Sequence, residues 1–363
     1  MSQIAIPFLF MRGGTSRGPY IKREDLPDDQ GRLADVLAAA VGAGHQLNID
    51  GIGGGNAVTT KVSMLSVADD DWADVDYFFA QVSVEDSSVD FKPSCGNILS
   101  GVGPAALEMK LLPISGDETV VKIRAVNTGA RVISTVQTPG GAVSYSGDTA
   151  IDGVPGTAAP VRLQFMDTVG GSTGTLLPTG NPIDQFDDVT VTCMDVAMPM
   201  VIARADAFGL SGYEGVDELN ENTAFFKRME AVRIQAGTAM GMGDVANSVT
   251  PKFGLLAPAR DGGTVTARYF MPWKTHPTMA VTGAQCLASC VLTPGTVADG
   301  LCERPASSPA TVTLEHASGS IDVLVDFEVS ESGIGLRSAG LVRTARLLAS
   351  GELYVPKAIW SGH

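Results

Sequence analysis

Residues 96–107 read Gly96-Asn97-Ile98-Leu99-Ser100-Gly101-Val102-Gly103-Pro104-Ala105-Ala106-Leu107, and residues 283–292 read Gly283-Ala284-Gln285-Cys286-Leu287-Ala288-Ser289-Cys290-Val291-Leu292. Both runs are small and apolar on nearly every side of a helical wheel. In the first, charge arrives only with Glu108 and Lys110, near the end of a helix expected over 96–111. A helix without a polar face is buried all round. Two such helices, far apart in the chain, imply two cores, and each core needs other elements to wrap it.

Those elements read as strands. Short runs rich in Val, Ile, Phe and Thr, separated by turn residues, predict strands over 3–11, 61–67, 75–84, 119–126, 130–138 and 160–167. The same style returns over 189–192, 200–203, 264–270, 310–315 and 321–329. Two further helices are amphipathic. Residues 31–42 place Leu33, Val36, Leu37, Ala40 and Val41 on one face, and 222–240 begin with Asn222 as N-cap before Phe225, Phe226, Met229 and Val232. The expected fold is therefore α+β, with two pseudo-symmetric, strand-rich, barrel-like halves, each wrapped around one buried helix. The Gly-, Thr-, Pro- and Asn-rich stretch 170–188 reads as the seam. That divides the chain into domains 1–182 and 183–363, with the last strand able to return to the first half.

Composition narrows the function. The chain has 363 residues, 44% hydrophobic and 18% charged, enough to bury a core without disulfide or metal staples. Lys and Arg number 25 against 40 Asp and Glu, a net charge of −15. That balance argues against nucleic acid and against anionic lipid as partners. No run of apolar residues is long enough for a membrane helix. The start, Met1-Ser2-Gln3-Ile4-Ala5-Ile6-Pro7, lacks the basic region of a secretory signal. Five cysteines without such a signal read as reduced thiols in a cytoplasm. There is no Cys-x-x-Cys and the four histidines are scattered, so no metal site is expected.

Two motifs fail on context. Gly170-Gly171-Ser172-Thr173-Gly174 has the form of a hydrolase elbow, but Pro178 and Pro182 follow where a helix is required. Gly101-x-Gly103-x-x-Ala106 and Gly241-x-Gly243-x-x-Ala246 have the loose dinucleotide pattern, but neither lies between a strand and a helix start.

Three clusters carry chemistry. In Met11-Arg12-Gly13-Gly14-Thr15-Ser16-Arg17-Gly18, the glycines admit a close ligand, the hydroxyls of Thr15 and Ser16 donate, and Arg12 and Arg17 supply charge. A surface hairpin explains these residues equally well. In the glycine-rich run 50–60, Asn56 stands before Lys61, which opens an apolar strand. Desolvation there would lower a lysine and make it a usable base, while a snorkelling strand-end lysine is the plain alternative. In Pro93-Ser94-Cys95-Gly96-Asn97, free amides at a helix start favour an anion and a thiolate, so that Gly96 and Asn97 could hold a carboxylate beside Cys95. A cysteine packed at a helix cap is the competing reading. The second half matches this cluster with Lys274 and His276 before Thr282 and Gly283. Two such helix starts facing one another would form a pincer for a substrate with several carboxylates.

Together the clusters resemble a known family: the 2-methylaconitate cis-trans isomerases, aconitate isomerases and 4-oxalomesaconate tautomerases, relatives of diaminopimelate epimerase. The resemblance runs from Pro7 to Pro356. It rests on Met11–Ser16, Asp50–Gly54, the Lys61 strand, Asp74-Val75-Asp76-Tyr77, Cys95-Gly96-Asn97, Ala280–Ala284 and the Gly340–Arg346 segment. It implies a diaminopimelate epimerase-like fold with the active site in the cleft between the halves, no cofactor, no metal and a homodimer. It also implies that Lys61 and Cys95 are the acid–base pair. With one cysteine at Cys95 and none near Thr282, the chain is similar to the isomerase branch, and a symmetric two-thiol racemisation is not expected.

The implied reaction is a proton shift in an unsaturated tricarboxylate, either keto–enol tautomerisation or an allylic double-bond shift. The residues leave open which of the pair is base and which acid. The run 95–104 resembles the oxalomesaconate branch, in catabolism of aromatic acids such as gallate or protocatechuate. A 2-methylaconitate or aconitate isomerase is the alternative, and a non-catalytic tricarboxylate-binding protein a more distant one.

Overall fold

The computed structural model describes residues 2–330 and 333–362. The chain divides into two units, Met1–Gln164 with Val342–His363, and Phe165–Leu341.

In the first unit β1 (Gln3–Gly13) and β2 (Ser16–Lys22) form an antiparallel hairpin. Helix α1 (Gln30–Val41) then crosses over so that β3 (Lys61–Val67) lies parallel to β2. Strand β4 (Val75–Val82) returns antiparallel to β3 and carries the short β5 (Val89–Asp90) at its edge. A second crossover, α2 (Gly96–Leu99) and α3 (Val102–Glu108), sets β6 (Glu118–Ala125) parallel to β4. Strand β7 (Arg131–Gln137) closes the series antiparallel to β6, with β8 (Pro160–Met166) as its neighbour.

The second unit repeats this connectivity. After a short β9 (Asp184–Phe186), β10 (Val189–Val196) pairs antiparallel with β11 (Met198–Arg204). Helices α4 (Val216–Glu221) and α5 (Thr223–Ala239) lead to β12 (Lys252–Pro258), parallel to β11. Strand β13 (Val265–Phe270) is antiparallel to β12, and α6 (Val281–Leu292) crosses to β14 (Ala310–His316), parallel to β13. Strand β15 (Gly319–Ser330) pairs antiparallel with β14 and with the first part of β16 (Gly333–Pro356). The latter part of β16 belongs to the first unit, where it runs antiparallel to β1. The fold is thus α+β, in two strand-rich units of like connectivity.

Every residue of α6 from Gly283 to Leu292 is buried. Its side chains pack against Met194, Met200, Leu314 and Val323. In the first unit Ile98, Leu99, Val102, Ala105 and Ala106 are equally buried. The amphipathic helices lie over separate cores. Leu33, Val36 and Leu37 of α1 meet Ile21, Val62 and Val355, and Phe225, Met229 and Val232 of α5 meet Val191, Val201 and Phe253. Asn222 caps α5 as the sequence predicts, its Oδ1 accepting from Phe225 N at 3.0 Å. Among the described residues no helix is long and apolar enough to cross a membrane.

Three expectations change. The helix over 96–111 is broken: α2 is a single turn, and Ser100 and Gly101 separate it from α3. Pro104 lacks the amide that would carry the helical ladder back to Ser100, and Gly101 and Gly103 just before it weaken the ladder further. Helix α6 starts at Val281, two residues earlier than 283. The seam lies at Gln164/Phe165 rather than 182/183. The loop 170–174 is tied to β10: the Asp195 carboxylate accepts from Ser172 N and Thr173 N at 2.8 Å and from Thr173 Oγ1 at 2.9 Å.

A buried carboxylate holds the turn between β12 and β13. Glu315 on β14 accepts from Arg260 N, Asp261 N and Gly263 N at 2.7–2.8 Å and from Thr266 Oγ1 at 2.6 Å. Burial alone would raise this carboxyl. The hydrogen bonds outweigh it and bring the group down from 4.5 to about 2. A lowered carboxyl stabilises the fold fully above its unfolded value, and this contribution is lost as pH falls through the folded one. Glu315→Gln should therefore cost about 3 kcal/mol at pH 7, with the difference from the parent shrinking as pH falls from about 4.5 towards 2. Denaturant unfolding of both proteins across that range measures it.

Candidate active site

Lys61 opens β3 at the end of a loop that side chains wind tightly. Asn48 Oδ1 accepts from Gly55 N at 2.7 Å, Asn56 Oδ1 accepts from Val58 N at 3.1 Å, and Thr59 Oγ1 donates to Asn56 O at 2.8 Å. The half-buried Lys61 ammonium donates to Gln81 Oε1 at 2.7 Å and lies 5.4 Å from the centre of the Phe79 ring. Gln81 is itself held by its amide nitrogen, which donates to the carbonyls of Ala57 and Val82, each at 3.2 Å.

Gln81, Phe79 and Tyr77 alternate along β4 and so share one face. The Tyr77 and Phe79 rings are 6.2 Å apart, and the Tyr77 hydroxyl donates to the Cys95 carbonyl at 3.3 Å. One face of β4 thus carries a path of contacts from the Lys61 ammonium to the backbone carbonyl of Cys95.

Cys95 is half-buried at the cap of α2, and its side chain makes no capping bond. With α2 only one turn long, little remains of the expected macrodipole. What remains is local: the amides of Gly96, Asn97 and Ile98 have no intrahelical partner. The Tyr20 hydroxyl on β2 donates to Ile98 O at 2.5 Å. Burial, followed by the Cys95 thiol, pushes both Tyr20 and Tyr77 well above the ordinary tyrosine range, so each stays a donor near neutrality.

The β1–β2 hairpin tip presses on this helix start. Gly14 has a φ of 51°, which favours glycine, and a Cβ there would lie 2.9 Å from Asn97 Cγ, so a larger residue would displace the Asn97 side chain. Thr15 N donates to Asn97 Oδ1 at 3.4 Å. Arg12 Nη1 donates to Gly14 O at 2.9 Å and to the carbonyl and hydroxyl of Thr344 at 3.0 Å, which fixes the tip to β16. Arg12, Thr15 and Ser16 line a cavity of about 680 Å³ together with Arg17, Tyr145 and Arg346. Of the residues singled out in this unit, Asn56 stands apart, exposed and engaged in its own turn.

In the second unit Thr282 and Gly283 lie in the first turn of α6, with Ala280 as N-cap. A Cβ on Gly283 would come within 2.5 Å of the Tyr269 ring. His276 is half-buried, edge-on to Tyr269 at 5.7 Å, and its Nδ1 accepts from Thr278 N at 3.1 Å. Burial lowers this imidazole, the Thr278 contact opposes the shift and nearby Lys252 adds to it. Lys274 is exposed on a turn, with no side-chain hydrogen bond or ion pair among the described residues.

Lys252 is the residue that motif reading passes over. It opens β12 as Lys61 opens β3, each strand parallel to the one before its crossover. The approaches are alike: Asn56-Ala57-Val58-Thr59-Thr60-Lys61 and Asn247-Ser248-Val249-Thr250-Pro251-Lys252. That echo is the signal, but strand propensity does not expose it, because Gly254 and Pro258 interrupt the second strand. Burial and then Arg233 lower the Lys252 ammonium. Arg233 is wholly buried, paired with Glu230 at 2.7 Å, and donates to Val245 O at 2.8 Å and Pro251 O at 3.3 Å, so it pins the loop that delivers Lys252.

Residues 3–356 match the family described as PrpF protein. The chain belongs to the PrpF family. Over 363 residues this PrpF chain is 44% identical to a 4-oxalomesaconate tautomerase of Pseudomonas putida, covering 100% of this chain and 99% of that one. It is also 44% identical over 349 residues to a (4E)-oxalomesaconate Delta-isomerase of Novosphingobium, covering 96% and 97%. A crystal structure of methylitaconate-delta-isomerase shares the fold at a TM-score of 0.90 and 32% identity, covering 99% of this chain and 97% of that one. These relatives are isomerases, and so is this PrpF protein.

Burial separates Cys95 from three of the other thiols of the PrpF chain. Cys193, Cys286 and Cys290 are fully buried, and burial pushes all three thiols up, Cys290 to about 12. Burial also raises Cys302. Iodoacetamide at neutral pH should therefore label Cys95 before Cys193, Cys286 and Cys290, as peptide mass spectrometry over a time course would show.

Proposed function

We propose that this PrpF-family protein isomerises 4-oxalomesaconate by a proton shift, with Lys61 and Cys95 as the acid–base pair. The path of contacts along β4 carries this reading. It leads from the lysine ammonium to the backbone carbonyl of Cys95, and among the described residues neither side chain is paired with a carboxylate. Gln81 is a neutral acceptor, so the Lys61 ammonium is oriented without being locked in an ion pair. Tyr20 and Tyr77 hold the backbone around Cys95 without competing for protons.

One member of the pair removes a proton from the carbon next to the carbonyl or conjugated carboxylate. The charge spreads into a dienolate, and the other member returns a proton at a different atom. Keto–enol tautomerisation and an allylic double-bond shift share this intermediate and differ in where the proton lands. The free amides of Gly96 and Asn97, the hydroxyls of Thr15 and Ser16, and Arg12 bind the carboxylates and the developing charge. Lys274, His276, Thr282 and Gly283 form a separate set in the second unit, to which we assign carboxylate binding on their chemistry. An unsaturated tricarboxylate of this kind belongs to the breakdown of aromatic acids.

An ultraviolet time course on 4-oxalomesaconate, beside trans-aconitate, tests the proposal. Rapid change with oxalomesaconate alone is expected, followed by proton NMR of the product. Lys61→Met and Cys95→Ser should each lower turnover by roughly 10²–10⁴-fold. Full turnover in both variants would sink the residue assignment. Change with aconitate alone would shift the substrate to aconitate or 2-methylaconitate, and silence with both would favour a binding protein.

A further inference from the structure

The pairing registers hold a pattern that the proton shift does not use. Arg12 on β1 lies directly opposite Arg17 on β2 and directly opposite Arg346 on β16. Opposite residues in antiparallel pairs share a face, so Arg17, Arg12 and Arg346 form a row across three adjacent strands. All three line the cavity of about 680 Å³ in the first unit. Among the described residues no aspartate or glutamate lines it. Glu108 meets its wall through the Tyr145 hydroxyl at 3.1 Å, and Asp152 is an exposed residue beside the lining Gly153. None of the three arginines forms an ion pair among the described residues.

Like charges directly opposite one another on a sheet are destabilising. Here they recur across two strand pairs, in a chain whose net charge is −15 and which has 40 acids available to neutralise them. The guanidinium groups are also held. Arg12 is fixed by Gly14 and Thr344, and Arg17 lies 5.6 Å above the Phe10 ring. Burial and then Arg346 disfavour the Arg12 cation, which an anion in the cavity would relieve. Strands are about 4.8 Å apart, so the outer arginines start about 10 Å from each other. That width suits a ligand with several carboxylates, each meeting a planar fork, better than a single compact anion.

We propose that the row Arg17–Arg12–Arg346 is a binding site for a small polycarboxylate, which engages at least two of the three guanidinium groups. This deepens the isomerase reading and rests on it for the identity of the natural ligand. The hairpin tip between Arg12 and Arg17 presses on Asn97 beside Cys95, while Lys61 and Cys95 themselves lie outside the lining of this cavity, so the row would meet only those carboxylates of the substrate that undergo no chemistry.

Arg17→Met and Arg346→Met, both at exposed positions, test it, with circular dichroism as the check on folding. Calorimetry with tricarballylate, a saturated tricarboxylate, should show affinity falling at least about tenfold in each variant. Under turnover KM should rise by a similar factor while kcat stays within about threefold. Arg346→Lys should recover only part of the loss, because an ammonium lacks the fork. Unchanged affinity and KM in both variants would overturn the proposal, even if Lys61→Met abolished turnover. Inorganic phosphate binding as tightly as tricarballylate would overturn the polycarboxylate assignment. If the parent turned over no substrate but lost tricarballylate affinity in both variants, the site would stand and the isomerase reading would fall.

Discussion

A helix that is apolar on every side has only the interior to go to, and each unit is arranged around that constraint. Both answer it with the same connectivity: an antiparallel pair, a parallel crossover, a second antiparallel pair and a second crossover that threads the apolar segment inside. A fully buried leucine or valine there contributes roughly 1.5–3 kcal/mol. Amphipathic α1 and α5 cover the opposite side of the strands in their own cores, which is why they keep a polar face and the inner helices do not.

Threading a helix through a core leaves its first amides and neighbouring carbonyls to be satisfied. In the first unit two buried phenols, Tyr20 and Tyr77, take the carbonyls of Ile98 and Cys95, and the glycine tip of the β1–β2 hairpin closes on Asn97. In the second unit the ring of Tyr269 lies flush against Gly283. Hydrogen bonds to the backbone mark one helix start, and close packing of a ring on a glycine marks the other. Only the first retains a thiol at the entry, with a lysine joined to it along β4.

The acidic excess is spent on architecture. Asp195 pins the 170–174 loop, Glu315 the turn at Arg260, Glu230 the buried Arg233, and Asp70 and Asp76 clasp Arg124 at 3.1 and 2.7 Å. Among the described residues Arg12, Arg17 and Arg346 form no ion pair. A strongly negative chain thereby keeps one row of unneutralised cations on the sheet, and Lys61 is steered by an amide rather than a carboxylate.

How much of this was legible in the chain depends on how local each cause is. Burial of the helices at 96–108 and 281–292, the strands at 61–67 and 310–316, and the Asn222 cap all follow from composition and spacing. Lys61, Cys95, Gly96, Asn97 and the 11–18 cluster stand out because glycines, hydroxyls and charges crowd together there. Strand β2, with Arg17, Gly18 and Pro19, is a strand only because β1 and β3 supply its hydrogen bonds. The assignment of 165–182 to the second unit and the kinship of Lys252 with Lys61 likewise depend on partners distant in sequence.

The arginine row shows this most clearly: Arg12, Arg17 and Arg346 become neighbours through two pairing registers, one of them joining opposite ends of the chain. The sequence by itself determined which segments must be buried and which residues carry chemistry, since hydrophobic periodicity and residue type are local properties. Only the tertiary structure decided which of those residues meet, because strand register is set by packing and hydrogen bonds across the sheet.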